Sequence, residues 1–357
     1  MSVVLIIGLG DMGERIAAGL AVGGKTRRLV LAGRSPRSLA DITATTATIA
    51  DCVVTPTLVD ATRRDDMAEL LDRFQPDLVV QCASLRSPWE LTGREDKAAK
   101  ALGAAGLGLR LPYQLPVLLS VMRAAKDAGY TGPVANLSFP DATGPVLRTL
   151  DLAPTTGLGN AGMILLRVRT ALRAAHPDQD PPLIRILAQH WQDGPSMRGA
   201  EPPDPAARCQ VFLGEDGRRA DELAYQAPGI EPGLRHNAVT TAASVPVLEA
   251  LLPGAPPVRW SVPAPGGLPG GYPVRVTDGT VALDLPPGVT EEEAVAFNER
   301  QAAGDGIERI EADGTVHFTE AARQAVAGID PDLAAPLAAT DDAHLAARAA
   351  ALDAVLR

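Results

Sequence analysis

SVVLIIGLGDMG, residues 2–13, is the stretch of this 357-residue chain that decides its fold. Ser2–Ile7 is a continuous apolar run, which is typical of a buried strand. It leads directly into a Gly-x-Gly-x-x-Gly turn at Gly8–Gly13, and the apolar positions after this turn repeat with helical spacing. A second apolar run, Arg28–Ala32, follows the glycines that end the helix. This order of strand, glycine turn, helix and strand is the context in which such a turn binds a dinucleotide.

The residue types within the turn each suit that role. Gly8 permits a tight turn after the strand, Gly10 lets a pyrophosphate approach the backbone, and Gly13 lets the helix pack close to the sheet. The free N–H groups and the partial positive charge at the helix start then favour phosphate. We therefore predict that Gly8, Gly10, Asp11, Met12 and Gly13 bind the cofactor.

The end of the second strand indicates which dinucleotide is bound. NAD sites usually carry an Asp or Glu there, which accepts a hydrogen bond from the ribose 2′-OH. Here the strand is followed by Arg34, Ser35 and Arg37, and no carboxylate occurs before Asp41. Guanidinium groups form charge-assisted bonds to phosphate, so these three residues favour the 2′-phosphate of NADP(H). The alternative interpretation is a solvated basic loop without a ligand.

Two further strands complete the predicted nucleotide-binding half. Cys52–Val59 is the third strand, and Asp60 after it is placed to accept from an adenine amino group. Asp77–Cys82 is the fourth strand, and its end at Cys82 and Ala83 is predicted to lie beside the nicotinamide. The alternation of strands and helices predicts an α/β fold with a doubly wound parallel sheet, a Rossmann domain over residues 1–145.

Composition excludes several other classes of protein. A net charge of −10 and an isoelectric point near 5.1 disfavour a nucleic-acid partner. No apolar run reaches membrane length, and no basic segment resembling a signal peptide precedes the first strand. Cys52, Cys82 and Cys209 are too scattered for a metal site or a disulfide framework. We therefore expect a cytoplasmic protein that contains no metal and acts on a small molecule.

The second half of the sequence resembles the lactate/malate dehydrogenase family. Four segments carry the resemblance: SFPDAT at residues 138–143, GLGNAGMILLRVR at 157–169, the predicted strand Leu183–Ala188 followed by His190 and Asp193-Gly194, and TDGTVALDLPPGVTEEEAVAF at 277–297. The resemblance implies an α+β substrate domain of that type over residues 146–357, ending in a docked helix, and a homodimer or homotetramer. The first ninety residues also resemble the NADP-binding half of saccharopine and opine dehydrogenases.

The resemblance implies specific roles for individual residues. His190 matches the position of the family's acid/base histidine, and Arg167 matches the arginine that holds the substrate carboxylate. Arg94, or less favourably Arg86, lies in the polar segment 84–97 and would polarise the carbonyl when that loop closes. Two positions depart from the family. Ile164 stands where the family has the aspartate that orients the histidine, and Phe139 stands where it has an asparagine before proline. Three residues are candidates to replace that aspartate: Asp193, Asn136 and Asn160.

The sequence thus predicts an NADPH-dependent oxidoreductase that reduces the C=O of a small carboxylate-bearing ketone. Two alternatives remain open at this stage. The first is an imine reductase of the opine or saccharopine type, since an iminium is already electrophilic and needs less from an acid partner. The second is a non-catalytic NADP-binding sensor, suggested by the two departures from the family pattern. No tyrosine is followed by a lysine four residues later, which argues against the short-chain dehydrogenase mechanism.

Overall fold

A six-stranded parallel sheet forms the centre of the protein. The computed structural model describes residues 2–357, and the strand order in this sheet is β3-β2-β1-β4-β5-β6. Its strands are β1 Ser2–Ile7, β2 Thr26–Gly33, β3 Val53–Leu58, β4 Leu78–Gln81, β5 Val134–Asn136 and β6 Thr156–Gly157. This is the strand order of the doubly wound dinucleotide-binding fold.

Helices cover both faces of the sheet and continue through the second half. In chain order the helices are α1 Asp11–Ala21, α2 Pro36–Ile49, α3 Arg64–Phe74, α4 Lys97–Ala105, α5 Leu111–Asp127, α6 Pro140–Arg148, α7 Asn160–Ala175, α8 His190–Arg198, α9 Arg235–Ala250, α10 Glu291–Gln301, α11 Glu320–Ala327 and α12 Asp342–Leu356. Alternate residues of β1 point to opposite faces. Leu5 and Ile7 join one hydrophobic cluster, and Val4 and Ile6 join the other.

Three small antiparallel sheets lie outside the central sheet. Their strands are β7 Ile184–Leu187, β8 Gln210–Leu213 and β9 Arg218–Arg219; β10 Val258–Pro263, β11 Gly271–Thr277 and β12 Thr280–Leu283; and β13 Ile307–Ile310, β14 Thr315–Phe318 and β15 Leu337–Ala338. The first two sheets pack with α1 and α7 in the cluster of Val4 and Ile6. The third sheet, with α11 and α12, packs on α3 and α5 in the cluster of Leu5 and Ile7.

The predicted fold class is confirmed, and the parallel sheet continues past the predicted domain boundary. The boundary at residue 145 precedes β6, which completes the sheet, and residues beyond 145 contribute to both hydrophobic clusters. The segment that begins at His190 forms α8 and ends at Arg198. Gln189 and Gln192 form a reciprocal capping box that starts this helix.

The C-terminal helix docks as its apolar face predicts. Leu345, Ala349, Leu352 and Leu356 of α12 are all buried in the cluster shared with α5. Within residues 2–357, no helix combines the length and apolar character that a membrane span requires.

Candidate active site

A cleft of about 670 Å³ runs along the carboxyl ends of the central strands. One wall is the glycine turn and the ends of β2, β3 and β4, and the other is formed by α8, the start of α9 and the turn before α6. Ligands of doubly wound sheets bind at this edge because parallel strands bring their carboxyl ends together there. Of the predicted site residues, the structure places these in the cleft wall: Gly8, Gly10, Asp11, Met12, Arg34, Ser35, Asp60, Cys82, Ala83, His190 and Asp193.

The glycine turn has the shape that a pyrophosphate requires. A Cβ placed on Gly10 would meet no atom within 4 Å, so the space above the turn is open. A Cβ on Gly13 would lie 1.9 Å from the carbonyl oxygen of Gly8, so only glycine lets α1 start this close to the strand. Gly10 is the N-cap of α1, and no side chain caps the helix. The first N–H groups of α1 are thus free for a phosphate, and the turn fits a dinucleotide.

The end of β2 carries hydroxyl and guanidinium groups in the cleft and no carboxylate of its own. Ser35 caps α2 by accepting a hydrogen bond from the backbone N–H of Ser38, and both serines line the cleft beside Arg34. Arg37, the second residue of α2, is exposed and is not part of the lining. Asp60 is held by Thr62, and its pKa is lowered mainly by these hydrogen bonds and also by the charge of Arg34.

The predicted nicotinamide end of the cleft is lined by Cys82 and Ala83. A Cβ on Gly8 would lie 2.6 Å from the Cβ of Ala83, so the glycine turn packs directly on the end of β4. Burial raises the pKa of the Cys82 thiol to about 12, so this group stays protonated and acts as a small apolar contact.

His190 lines the cleft and is paired with Asp305. The Nδ1 of His190 lies 2.8 Å from Oδ1 of Asp305, and Oδ2 of the same carboxylate accepts from the backbone N–H of Trp191 at 3.0 Å. Asp305 ends the short 3₁₀ turn Ala302–Asp305 and is 4% exposed. The histidine therefore has a buried carboxylate partner. The predicted replacements for that partner, Asp193, Asn136 and Asn160, do not fill this role.

Three carboxylates set the charge of the imidazole. Burial alone would lower the pKa of His190, but the charge and hydrogen bond of Asp305, aided by Asp141 and Asp193, raise it to about 9. Asp305 thus supplies the carboxylate that is missing at Ile164. Burial raises the pKa of Asp141 to about 7, and its Oδ2 accepts from Nδ2 of Asn160. Burial also raises the pKa of Asp193 to about 7, against the opposing charges of His190, Arg167 and Arg198.

Phe139 packs against His190 in a strained backbone conformation. Its φ of 43° and ψ of 58° lie in the left-handed region, which is unusual for an aromatic residue. Its ring meets that of His190 edge to face, with centroids 4.8 Å apart. Strain of this kind costs roughly 1–3 kcal/mol and clusters at functional sites. At this position an aromatic ring thus supports the histidine where the resembled family has an asparagine.

Arg167 does not reach the cleft, which corrects its predicted role. The guanidinium is 5% exposed and donates to the backbone carbonyls of Ser196, at 3.2 Å, and Ala227, at 2.7 Å. These bonds join α7 to the end of α8 and to the segment before α9. Arg167 therefore has a structural role in this arrangement, because its donors are used by the protein itself.

Arg94 and Arg86 are also absent from the cleft lining. Arg94 donates to Asp96 at 2.8 Å and to the carbonyl of Leu356 at 3.0 Å, and Arg86 pairs with Glu90 and Asp353. The segment 84–97, which includes the 3₁₀ turn Pro88–Leu91, is thereby tied to α12. The prediction that Arg94 polarises the substrate carbonyl is not supported by this placement.

Two other arginines line the cleft instead. Arg110 precedes α5 and donates from Nη1 to the carbonyl of Pro88 at 3.0 Å, while its buried Nε has no partner among residues 2–357. Arg198 is the last residue of α8, and its Nη1 lies 3.3 Å from the position of a Cβ on Gly194. The sequence predicts that Arg167 binds the substrate carboxylate. Arg110 and Arg198 are the candidates for that role in the structure.

Trp89 connects the segment 84–97 to the opposite wall. Its Nε1 donates to Oδ1 of Asn237 at 3.1 Å, and Nδ2 of Asn237 donates to Asp11 of the glycine turn at 2.8 Å. The Trp89 ring also meets His236 edge to face, with centroids 5.4 Å apart. The loop, α9 and the glycine turn are thus linked across the cleft.

Solved dehydrogenase structures share this architecture. A lactate dehydrogenase from a Medee basin deep-sea metagenome library matches 85% of this chain and 98% of its own, at 15% identity and a TM-score of 0.50. The malate dehydrogenase of Plasmodium falciparum covers 85% and 96%, at 12% identity and a TM-score of 0.51. The lactate dehydrogenase of Cryptosporidium parvum, solved with lactic acid and nicotinamide adenine dinucleotide, covers 85% and 96%, at 16% identity and a TM-score of 0.50. The chain has the lactate/malate dehydrogenase fold. No family model and no curated protein matches the sequence.

Within this fold, sequence reasoning missed four residues, three of which lie far from His190 in the chain. The four are Asp305, Asp141, Arg110 and Arg198. Asp305 did leave a local signal, because it stands between Gly304 and Gly306 in an acidic Gly-Asp-Gly turn. Nothing in the sequence links that turn to His190, 115 residues earlier.

Proposed function

We propose that this protein is an NADPH-dependent oxidoreductase that reduces the C=O of a small carboxylate-bearing ketone. The observation that carries the proposal is that His190, which lines the same cleft as the glycine turn, is paired with the buried carboxylate of Asp305. A histidine whose pKa is raised to about 9 is protonated at neutral pH, as an acid for ketone reduction must be.

The cofactor would lie along the wall formed by the glycine turn and the end of β2. Gly10 and the free N–H groups of α1 would hold the pyrophosphate, and Arg34 and Ser35 the 2′-phosphate. NADPH bound there supplies the hydride that reduces the carbonyl carbon. The protein's part is to hold the carbonyl in place and to control its proton.

His190 would supply that proton. Its Nδ1 is held by Asp305, so Nε2 is the nitrogen left to donate to the substrate oxygen. As negative charge develops on this oxygen, the imidazolium gives up its proton, and Asp305 keeps the ring oriented throughout. Arg110 and Arg198 would bind the substrate carboxylate, since guanidinium groups match carboxylate geometry.

The proposal is tested by following NADPH absorbance with a panel of 2-oxo acids, with and without ammonia. We expect consumption with the ketone alone. In His190→Gln we expect kcat to fall roughly 10²–10⁴-fold, because general acid catalysis contributes about that factor. The matched control is His176→Gln, at an exposed position at the end of α7, which should behave as wild type.

Two outcomes would replace this proposal with one of the alternatives. Consumption only in the presence of an amine would favour the imine reductase. The original reason for that alternative was a histidine without a carboxylate, and Asp305 removes it. NADPH binding, seen by fluorescence, with no turnover on any ketone or imine would favour the sensor.

A further inference from the structure

We propose that Asp193 accepts a hydrogen bond from the substrate, so that the substrate carries an O–H or N–H donor besides its reacting carbonyl and its carboxylate. The inference rests on the proposed function and names the substrate class of the same cleft. The substrate is then a 2-oxo acid that carries a hydroxyl or amino group, and not an unsubstituted 2-oxo acid.

The position of Asp193 places it beside the reacting group. It follows His190 by three residues in α8, and residues with this spacing are neighbours on one face of a helix. Both residues line the cleft. A group bound by Asp193 would therefore lie within the same small molecule whose carbonyl faces His190.

Asp193 has an unused acceptor in this position. Its Oδ1 is out of contact with solvent and receives no hydrogen bond from any group in residues 2–357. A buried polar atom without a partner costs about 1–3 kcal/mol, so most such atoms in proteins are paired. Asp305 already holds the histidine, which leaves this oxygen without a role inside the protein. A donor on the ligand would satisfy it.

The charges around Asp193 fit recognition of an acid that also bears a donor. Arg198 and Arg167 attract its carboxylate only through their charge. Arg167 donates its hydrogen bonds to the backbone carbonyls of Ser196 and Ala227. The guanidinium of Arg198 lies over Gly194, next to Asp193 in the same helix. Within residues 2–357, the cleft thus offers an unpaired cation for a carboxylate and an unpaired acceptor for a donor side by side.

An acceptor of this kind creates strong discrimination. A site built to hydrogen-bond a substrate O–H or N–H rejects the analogue that lacks it, because the buried group is then left unpaired. Factors of 10⁴–10⁵ are typical of fully closed sites, and we expect at least about 10²-fold for this partly open one.

The experiment compares matched ketones with the full-length protein and NADPH. Pyruvate is paired with hydroxypyruvate, and 2-oxobutanoate is paired with its 4-hydroxy and 4-amino derivatives. We measure kcat/KM for each in wild type, Asp193→Asn and Asp193→Leu. Asp178→Asn, an exposed aspartate in the loop after α7, is the matched control. As a second readout, we measure the rise in Tm that each reduced product gives to the NADP⁺ complex.

We expect wild type and the control to prefer the donor-bearing ketone at least about 10²-fold, and Asp193→Leu to lower kcat/KM for that ketone far more than for the plain one. Asp193→Asn keeps an acceptor oxygen but loses the charge. It should retain part of the preference for a hydroxyl and lose the preference for an ammonium group. If Asp193→Leu does not fold, this asparagine variant still tests the inference.

The results separate this inference from the proposed function. The role of Asp193 would be refuted if wild type reduced both members of a pair equally well. It would also be refuted if the preference for the donor-bearing ketone persisted in Asp193→Leu. In both cases the proposed reductase activity would remain supported. The same holds if the donor-bearing product stabilises wild type and Asp193→Leu equally. No reduction of any ketone by wild type would refute the proposed function and this inference with it.

Discussion

The two ends of the cleft are constructed in opposite ways. Most of the proposed nucleotide end comes from one continuous stretch, residues 8–35, in which a turn, a helix and a strand are chain neighbours. Asp60, Cys82 and Ala83 join it from the segments that follow β3 and β4. The proposed catalytic end combines His190 with Asp305, 115 residues further along the chain, and with Asp141 and Arg110 from two other segments. The first end depends on local backbone geometry. The second depends on how well distant segments pack.

The packing around Asp305 shows how the distant carboxylate is positioned. A Cβ on Gly106, at the end of α4, would lie 2.4 Å from the carbonyl carbon of Asp305. On the other side, the carboxylate accepts hydrogen bonds from the first turn of α8. The C-terminal region that carries Asp305 packs on α4, α5 and α12 in one hydrophobic cluster. The charge of the histidine is therefore coupled to the packing of the C-terminal segment.

Replacing Asp305 should have the largest effect on activity, because it removes the carboxylate that pairs with His190 from a distant part of the chain. Asp305→Asn keeps the shape but removes the charge that raises the His190 pKa to about 9, so burial then lowers that pKa. Ketone reduction needs the protonated ring, which exists only below its pKa. Wild-type activity should therefore fall as pH rises through about 9, and activity of the variant should fall at a lower pH. Near pH 8 we expect kcat to be roughly 10²–10⁴-fold lower than wild type.

A pH–rate profile for kcat measures this, with Glu299→Gln as the control. Glu299 is an exposed carboxylate on α10, close in sequence to Asp305 but not placed in the cleft. If the pH–rate profile of Asp305→Asn overlays that of wild type, Asp305 does not set the pKa of His190, and the proposed role of this pair is contradicted.

The same contrast explains which features the sequence could predict. The glycine turn, the α/β class and the burial of α12 follow from short-range pattern, and the structure confirms them. Helical periodicity placed Arg167 on a helix, but it could not show that the neighbouring carbonyls of Ser196 and Ala227 take its donors. Asp305 escaped prediction because only tertiary packing brings it to His190.

The nucleotide end is tested by a change within its continuous stretch. Arg34→Leu should lower kcat/KM for NADPH roughly 10–100-fold, because a hydrogen bond to a charged group contributes about 1.5–3 kcal/mol. The value for NADH, which has no 2′-phosphate, should change little. Steady-state kinetics with both cofactors gives the ratio.

Arg37→Leu is the matched control for that prediction. Arg37 is three residues away in the same basic stretch, but it does not line the cleft. If both variants lose the same fraction of NADPH activity, the effect comes from the general charge of the loop. The 2′-phosphate would then not be bound by the local arrangement of Arg34 and Ser35.

The smallest expected effect concerns the contact that joins the two ends. Trp89→Phe keeps an aromatic ring against His236 but removes the hydrogen bond to Asn237, which itself bonds Asp11 in the glycine turn. The loss of one neutral hydrogen bond, about 0.5–1.5 kcal/mol, corresponds to roughly a 2–10-fold change. Because the linked residues reach both ends of the cleft, KM should rise for NADPH and for the ketone together, with kcat nearly unchanged. A rise in the KM of the ketone alone would mean that the loop serves only the catalytic end, and that the two differently built ends work independently.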